Sequence, residues 1–111
     1  MLSRMERLES LPRTGWIVSG VTPPESIASH IYMVTLTALW IADTIEDEVD
    51  TERLLRIALL HDSSEALLTD LAWPVKRLID PDVLHDAEER ASHLLFEHAP
   101  GDAWRAVLPE Y

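Results

Sequence analysis

The chain has no cysteine, three glycines and a single phenylalanine in 111 residues. Without cysteine there is no disulfide and no thiolate metal ligand, a usage that fits the cytoplasm, the expected location. Basic residues are also scarce, nine Lys and Arg against twenty Asp and Glu, for a formal net charge of −11. That balance argues against a broad duplex surface, which needs basic stripes, so no nucleic-acid partner is expected. A small anionic substrate is still compatible, because a metal ion and one or two arginines reverse the field locally. The N-terminus, Met1-Leu2-Ser3-Arg4-Met5-Glu6-Arg7, has no apolar signal-peptide core. The longest nearly uncharged stretch, Ser26 to Ala42, contains His30 and falls short of the roughly 20 residues that span a bilayer. No membrane partner is expected.

What is present is a soluble composition, 47% hydrophobic, on a length that suits one domain over residues 1–111. Seven prolines and the glycines fall between periodic segments. The pattern predicts a short helix from Ser3 to Leu11, then an irregular stretch from Pro12 through Pro24. A helix opening at Pro23-Pro24 is expected over Glu25 to Asp43, with its apolar stripe on Ile27, Ile31, Val34, Ala38 and Ile41. Asp50 or Thr51 caps a continuous helix to about Leu68. Short helices are expected from Pro74 to Ile79 and from Ala103 to Leu108. Asp80-Pro81-Asp82 starts a longer one that runs to about His98. No alternating strand pattern of useful length occurs, so the expected class is all-α.

Within that frame some ionisable residues sit oddly. On a continuous helix from Thr51, His61 and Glu65 share a stripe with Leu54, Ala58 and Leu68, and Asp62 shares the next with Leu55, Leu59 and Ala66. Carboxylates on apolar faces require compensation, and a divalent ion would supply it. Imidazole and carboxylate are both good ligands. His30 lies beside Ile27, Ile31 and Val34 on the apolar side of a second helix. Two such helices packed face to face would bring His30, His61 and Asp62 together. His85, His93 and His98 read as solvated surface, and Trp40, Trp73 and Trp104 as core or interface anchors. Lys76 and Arg77 read as surface charges, with Lys76 within range of a phosphate.

Four segments, in order, resemble the HD-domain metal-dependent phosphohydrolases, and among them the 5′-deoxynucleotidase branch. They are Arg13-Thr14-Gly15-Trp16; Pro24-Glu25-Ser26 with His30; His61-Asp62-Ser63-Ser64-Glu65; and Asp70-Leu71-Ala72-Trp73-Pro74-Val75-Lys76. The resemblance implies a compact HD-type helical bundle with His30, His61 and Asp62 as metal ligands. It implies Glu65 and Asp70 as catalytic residues, with Asp70 alternatively holding the sugar. Arg13 is implied at the substrate phosphate, with Trp16 near that pocket. Three departures stand out. Thr69 replaces the glycine often found before the aspartate, a mild change. Ser19 stands where relatives often carry a second basic residue. The family also completes its metal site with an aspartate on a later helix, a position that by spacing lies beyond Tyr111. Asp102 is the nearest candidate in the chain.

The expected activity is therefore metal-dependent hydrolysis of nucleoside 5′-monophosphates, the deoxynucleoside forms included, by an activated water. The alternative is a weakly active or inactive HD-type ligand-binding or interaction module. The nitrogen-and-oxygen ligand set admits Mn, Co, Fe or Ni, and paired imidazoles argue against a site for Mg alone. Lacking the family's C-terminal helices, the bundle should leave apolar surface uncovered and associate as a homodimer.

Overall fold

A computed structural model describes residues 1–107 of the chain. Its elements are α1 (Leu2–Met5), a 3₁₀ turn (Glu6–Glu9), α2 (Thr14–Val18), α3 (Ile27–Thr44) and α4 (Thr51–Leu60), followed by α5 (Glu65–Leu68), α6 (Trp73–Lys76), α7 (Pro81–Phe96) and α8 (Ala103–Ala106). Among the described residues the only extended pairing is an isolated bridge between Pro12 and Ser26, so the all-α class holds. No helix among them is long and apolar enough to cross a membrane.

The caps follow from side chains with short acceptors. Ser26 Oγ accepts from Ser29 N, Asp50 Oδ1 from Arg53 N, and Asp80 Oδ1 from Asp82 N, each at the head of a long helix. Pro81 sits at the first turn of α7, where its missing N–H costs nothing. Helix α3 starts two residues later than the Pro23-Pro24 signal suggests. Glu25 is held extended instead: Arg13 N donates to Glu25 O and Ile27 N to Leu11 O. The stretch from Pro12 to Pro24, expected to be irregular, contains α2. Its end is closed by Gly20 at φ 77°, with Val21 N donating to Trp16 O and Gly20 N to Ile17 O, a Schellman arrangement.

The largest departure concerns the helix expected from Thr51 to Leu68. It stops at Leu60 and resumes at Glu65. Between them the bonds run three residues back: Ser63 N to Leu60 O, Glu65 N to Asp62 O, Ala66 N to Ser63 O and Leu67 N to Ser64 O. Such 3₁₀-like winding changes the angular register, so the two expected stripes do not continue through His61 and Asp62. Ser63 is fully buried at this turn.

The core gathers Leu8, Ile27, Ile31, Leu60, Ala66, Leu95, Phe96 and Val107. Helices α3 and α4 pack together, and α7 packs against α5. Of the expected aromatic anchors, Trp104 packs beside Phe96 at 6.1 Å between ring centres. Trp40 and Trp73 are exposed, contrary to a core role, and Trp73 lies under the Arg77 guanidinium at 5.4 Å. The α3 stripe is buried only at Ile27 and Ile31, while Ile41 is exposed. Leu108, the expected end of the last helix, lies outside the described residues.

Candidate metal centre

Helix α3 enters from the Ser26 cap, which places His30 one turn inside, next to buried Ile27 and Ile31. Helix α4 runs toward the same place and delivers His61 at its C-terminal cap position, with Asp62 on the tight turn beyond. The two imidazoles meet edge to face with ring centres 5.7 Å apart. One ligand atom each from His30, His61 and Asp62 lies within 4.8 Å of the others. Donors around one ion at about 2.0–2.2 Å stand at most about 4.4 Å apart, a spacing of the same order as that of this cluster. No other group of three His, Asp or Glu side chains among the described residues has this spacing.

The chemistry of the donors fits an ion as well. His61 Nδ1 is 2.7 Å from Ala58 O, a carbonyl that can only accept, so Nδ1 carries a proton. That leaves Nε2 directed at the site, 3.0 Å from Asp62 Oδ2, with the far ring nitrogen tied to a backbone carbonyl, as is usual for ligating histidines. The hydrogen bond to Asp62, opposed by burial and helped by the Ala58 carbonyl, raises the His61 pKa above its ordinary 6.5. Burial pushes the Asp62 carboxyl up, but the His61 bond and the charges of His61, His30 and Arg13 outweigh it, and its pKa falls. His30 is lowered by burial and by the Arg13 charge.

The acid–base neighbours divide. Glu65 is half-buried, and burial together with the Asp62 and Asp70 charges pushes its pKa up to about 8. It is a carboxylic acid at neutral pH, able to donate a proton. Asp70 is engaged differently: its Oδ2 accepts from Thr14 N at 2.8 Å and from Thr14 Oγ1 at 3.1 Å. It anchors the start of α2, next to Arg13. The residue before it, Thr69, sits at φ 63° and ψ 172°. A β-branched side chain is strained there, and glycine is not. The Thr-for-Gly departure is thus no mild change in the backbone.

Arg13 and Trp16 lie on the His30 side. Arg13 Nη1 is 2.9 Å from His30 Nδ1 and 3.4 Å from Glu25 Oε1, and Trp16 Nε1 donates to the same oxygen at 3.1 Å. On the opposite side, a cleft of about 440 Å³ opens from His61, Asp62 and Glu65 toward Lys76, His85 and His93. His85 and His93 are exposed, as expected, yet they face this cleft. Asp102 is exposed, pairs with Arg105 at 3.0 Å, and does not join the ligand cluster. Sequence reasoning gave no role to Glu25 or Thr14. Their place inside the quoted segments, next to Arg13 and five residues before His30, was the available signal.

Comparison with known proteins assigns the chain to a family. The HD domain family matches residues 5–111. Human 5′-deoxynucleotidase HDDC2 is 34% identical over 96 residues, covering 86% of this chain and 45% of the human protein. The 5′-deoxynucleotidase YGK1 of Saccharomyces cerevisiae is 40% identical over 70 residues, covering 63% of this chain and 31% of the yeast protein. Among solved structures, a conserved hypothetical protein from Pyrococcus furiosus superposes with a TM-score of 0.76 at 32% identity, covering 92% of this chain and 60% of that one. The chain belongs to the HD-domain family. It spans less than half the length of these two curated relatives.

Proposed function

We propose that this chain carries the catalytic centre of a metal-dependent phosphomonoesterase acting on nucleoside 5′-monophosphates, with deoxynucleotides as the first class to try. The observation that carries the reading is the His30–His61–Asp62 cluster, set beside a carboxyl that is protonated at neutrality. The names of the relatives supply the substrate class. A divalent ion held by the three side chains would polarise the phosphoryl group and make water a better nucleophile at neutral pH. The imidazole pair favours Mn, Co, Fe or Ni over Mg alone.

The chain's own groups then have distinct tasks. Arg13 offers a planar fork of donors to nonbridging phosphate oxygens. Glu65 gives a proton to the leaving 5′ oxygen, and it fits this task better than Asp70 because its burial favours the protonated form while Asp70 is tied to Thr14. Asp70 keeps Thr14, and with it Arg13, in place. Trp16, 43% exposed with its indole N–H tied to Glu25, offers a flat wall near the phosphate.

The reading includes a cytoplasmic protein that associates with itself. Tyr32, Met33, Leu36 and Trp40 are exposed along α3 and supply apolar surface for that contact. The deciding experiment is metal analysis of the purified chain, followed by phosphate release from a panel of ribo- and deoxyribonucleoside 5′-monophosphates with added Mn(II) or Co(II). Metal-dependent release from the panel is expected. Bound metal with no release from any member would replace this reading with that of a ligand-binding module.

A further inference from the structure

We infer that Glu25 is a positioning residue that couples ion binding at His30 to the freedom of Arg13 to meet the substrate phosphate. The inference rests on the metal-dependent reading above. Three groups converge on one carboxylate oxygen. Glu25 Oε1 accepts from Trp16 Nε1 at 3.1 Å and from Arg13 Nη1 at 3.4 Å, and stands 3.6 Å from His30 Nδ1. Arg13 Nη1 is also 2.9 Å from that same Nδ1.

The donor inventory fixes the roles. A guanidinium has only donors and keeps its charge. His30 Nδ1 is therefore the acceptor in this arrangement, and the ring proton lies on Nε2, which faces Asp62 Oδ2 at 3.6 Å. Ligation through Nε2 needs the opposite tautomer, with the lone pair on Nε2 and the proton on Nδ1. A protonated Nδ1 cannot accept from Arg13 and needs an acceptor of its own. Glu25 Oε1 stands at the right side of the ring, a few tenths of an ångström beyond hydrogen-bond range.

Two arrangements of the same three side chains follow. In one, Arg13 is held against the imidazole. In the other, His30 donates to Glu25 and the Arg13 guanidinium is released from the ring. An ion at His30 favours the second, and so does a phosphate that takes the arginine. Linkage then requires each ligand to raise the affinity for the other by the same factor.

The test uses the whole chain, zinc(II) as a diamagnetic probe ion and inorganic phosphate. Ring-nitrogen NMR of the parent should show His30 protonated at Nε2 before zinc and at Nδ1 after it. Phosphate should raise zinc affinity. In E25Q, with its fold checked by circular dichroism, zinc should bind about 10–100-fold more weakly, and the gain from phosphate should shrink. E25D, which keeps the charge, should recover part of both. A proton on Nδ1 before zinc is added, or equal zinc affinity in parent and folded E25Q, overturns the Glu25 assignment. If E25Q does not fold, the parent decides: zinc affinity indifferent to phosphate overturns the coupling. Zinc that leaves both the His30 and His61 resonances unmoved refutes the metal-centre reading itself, and the coupling with it.

Discussion

The Asp70 carboxylate holds Thr14 across 56 residues of sequence, with Oδ2 accepting both the backbone N–H at 2.8 Å and the hydroxyl at 3.1 Å. The N–H is among those at the head of α2 that no helical carbonyl can reach. A charged acceptor there contributes about 1.5–3 kcal/mol. D70A should lower stability by that order in urea titrations. It should also raise KM for a nucleotide more than it lowers kcat, since Arg13 loses its anchor but no reacting group is removed. D70N, which keeps an oxygen, should recover part of both. An unchanged urea midpoint with kcat abolished would show instead that Asp70 meets the reacting atoms.

Thr69 is the strained link just before that anchor. At φ 63° and ψ 172° a β-branched residue costs about 1–3 kcal/mol. Glycine removes the strain but adds about 0.5–1 kcal/mol of lost chain entropy. T69G should therefore stabilise the fold by about 1 kcal/mol and raise the melting temperature. A melting temperature equal to or below that of the parent would mean the surrounding turn already relieves the strain.

Element types were readable where a cap and a period agreed. Asp50 and Asp80 marked the heads of α4 and α7, and both caps form as hydrogen bonds. The grouping of His30, His61 and Asp62 was readable because all three broke apolar patterns. Periodicity failed at residues 61–64, since apolar Ala66-Leu67-Leu68 continues the pattern while the backbone tightens into three-residue bonds. It also failed at α2, which is too short to show a period and is defined by Gly20 and its two backbone bonds. Exposure of Trp40 and Trp73 was unreadable because spacing along one helix does not say which neighbour reaches it. The roles of Glu25 and Thr14 depend on the Pro12–Ser26 bridge and on a contact 56 residues away, neither of which has a local signature.

Glu65 makes the fold sensitive to alkali in the absence of metal. Its folded pKa, about 8, lies above the ordinary 4.5, so the folded chain binds this proton more tightly than the unfolded one. The resulting contribution is fully present below about pH 4.5 and is lost as pH rises through about 8. E65Q mimics the protonated acid and should melt higher than the parent at pH 8.5, with little difference near pH 5. The same variant should lose most phosphate release, as it has no proton to give. Parallel melting curves for the two proteins from pH 5 to 8.5 would place the Glu65 pKa near its ordinary value.

Ion affinity should carry the signature of His61. Without an ion, its Nε2 stands 3.0 Å from Asp62 Oδ2, and the shared hydrogen bond raises its pKa above 6.5. An ion must displace that proton, because only the neutral ring ligates. Below the raised pKa, the apparent affinity for Co(II) should climb about tenfold per pH unit, one proton leaving per ion. Above it, His61 should no longer limit binding. The His30 pKa is lowered instead, so its proton competes at lower pH than that of His61. H61A should remove both the binding and its pH slope, whereas D62N should weaken binding and shift the slope to lower pH, since His61 then loses the carboxylate that holds its proton. Co(II) titrations followed by visible absorption between pH 5.5 and 8.5 measure all three proteins. Affinity that is flat with pH in the parent would remove His61 from the ligand set.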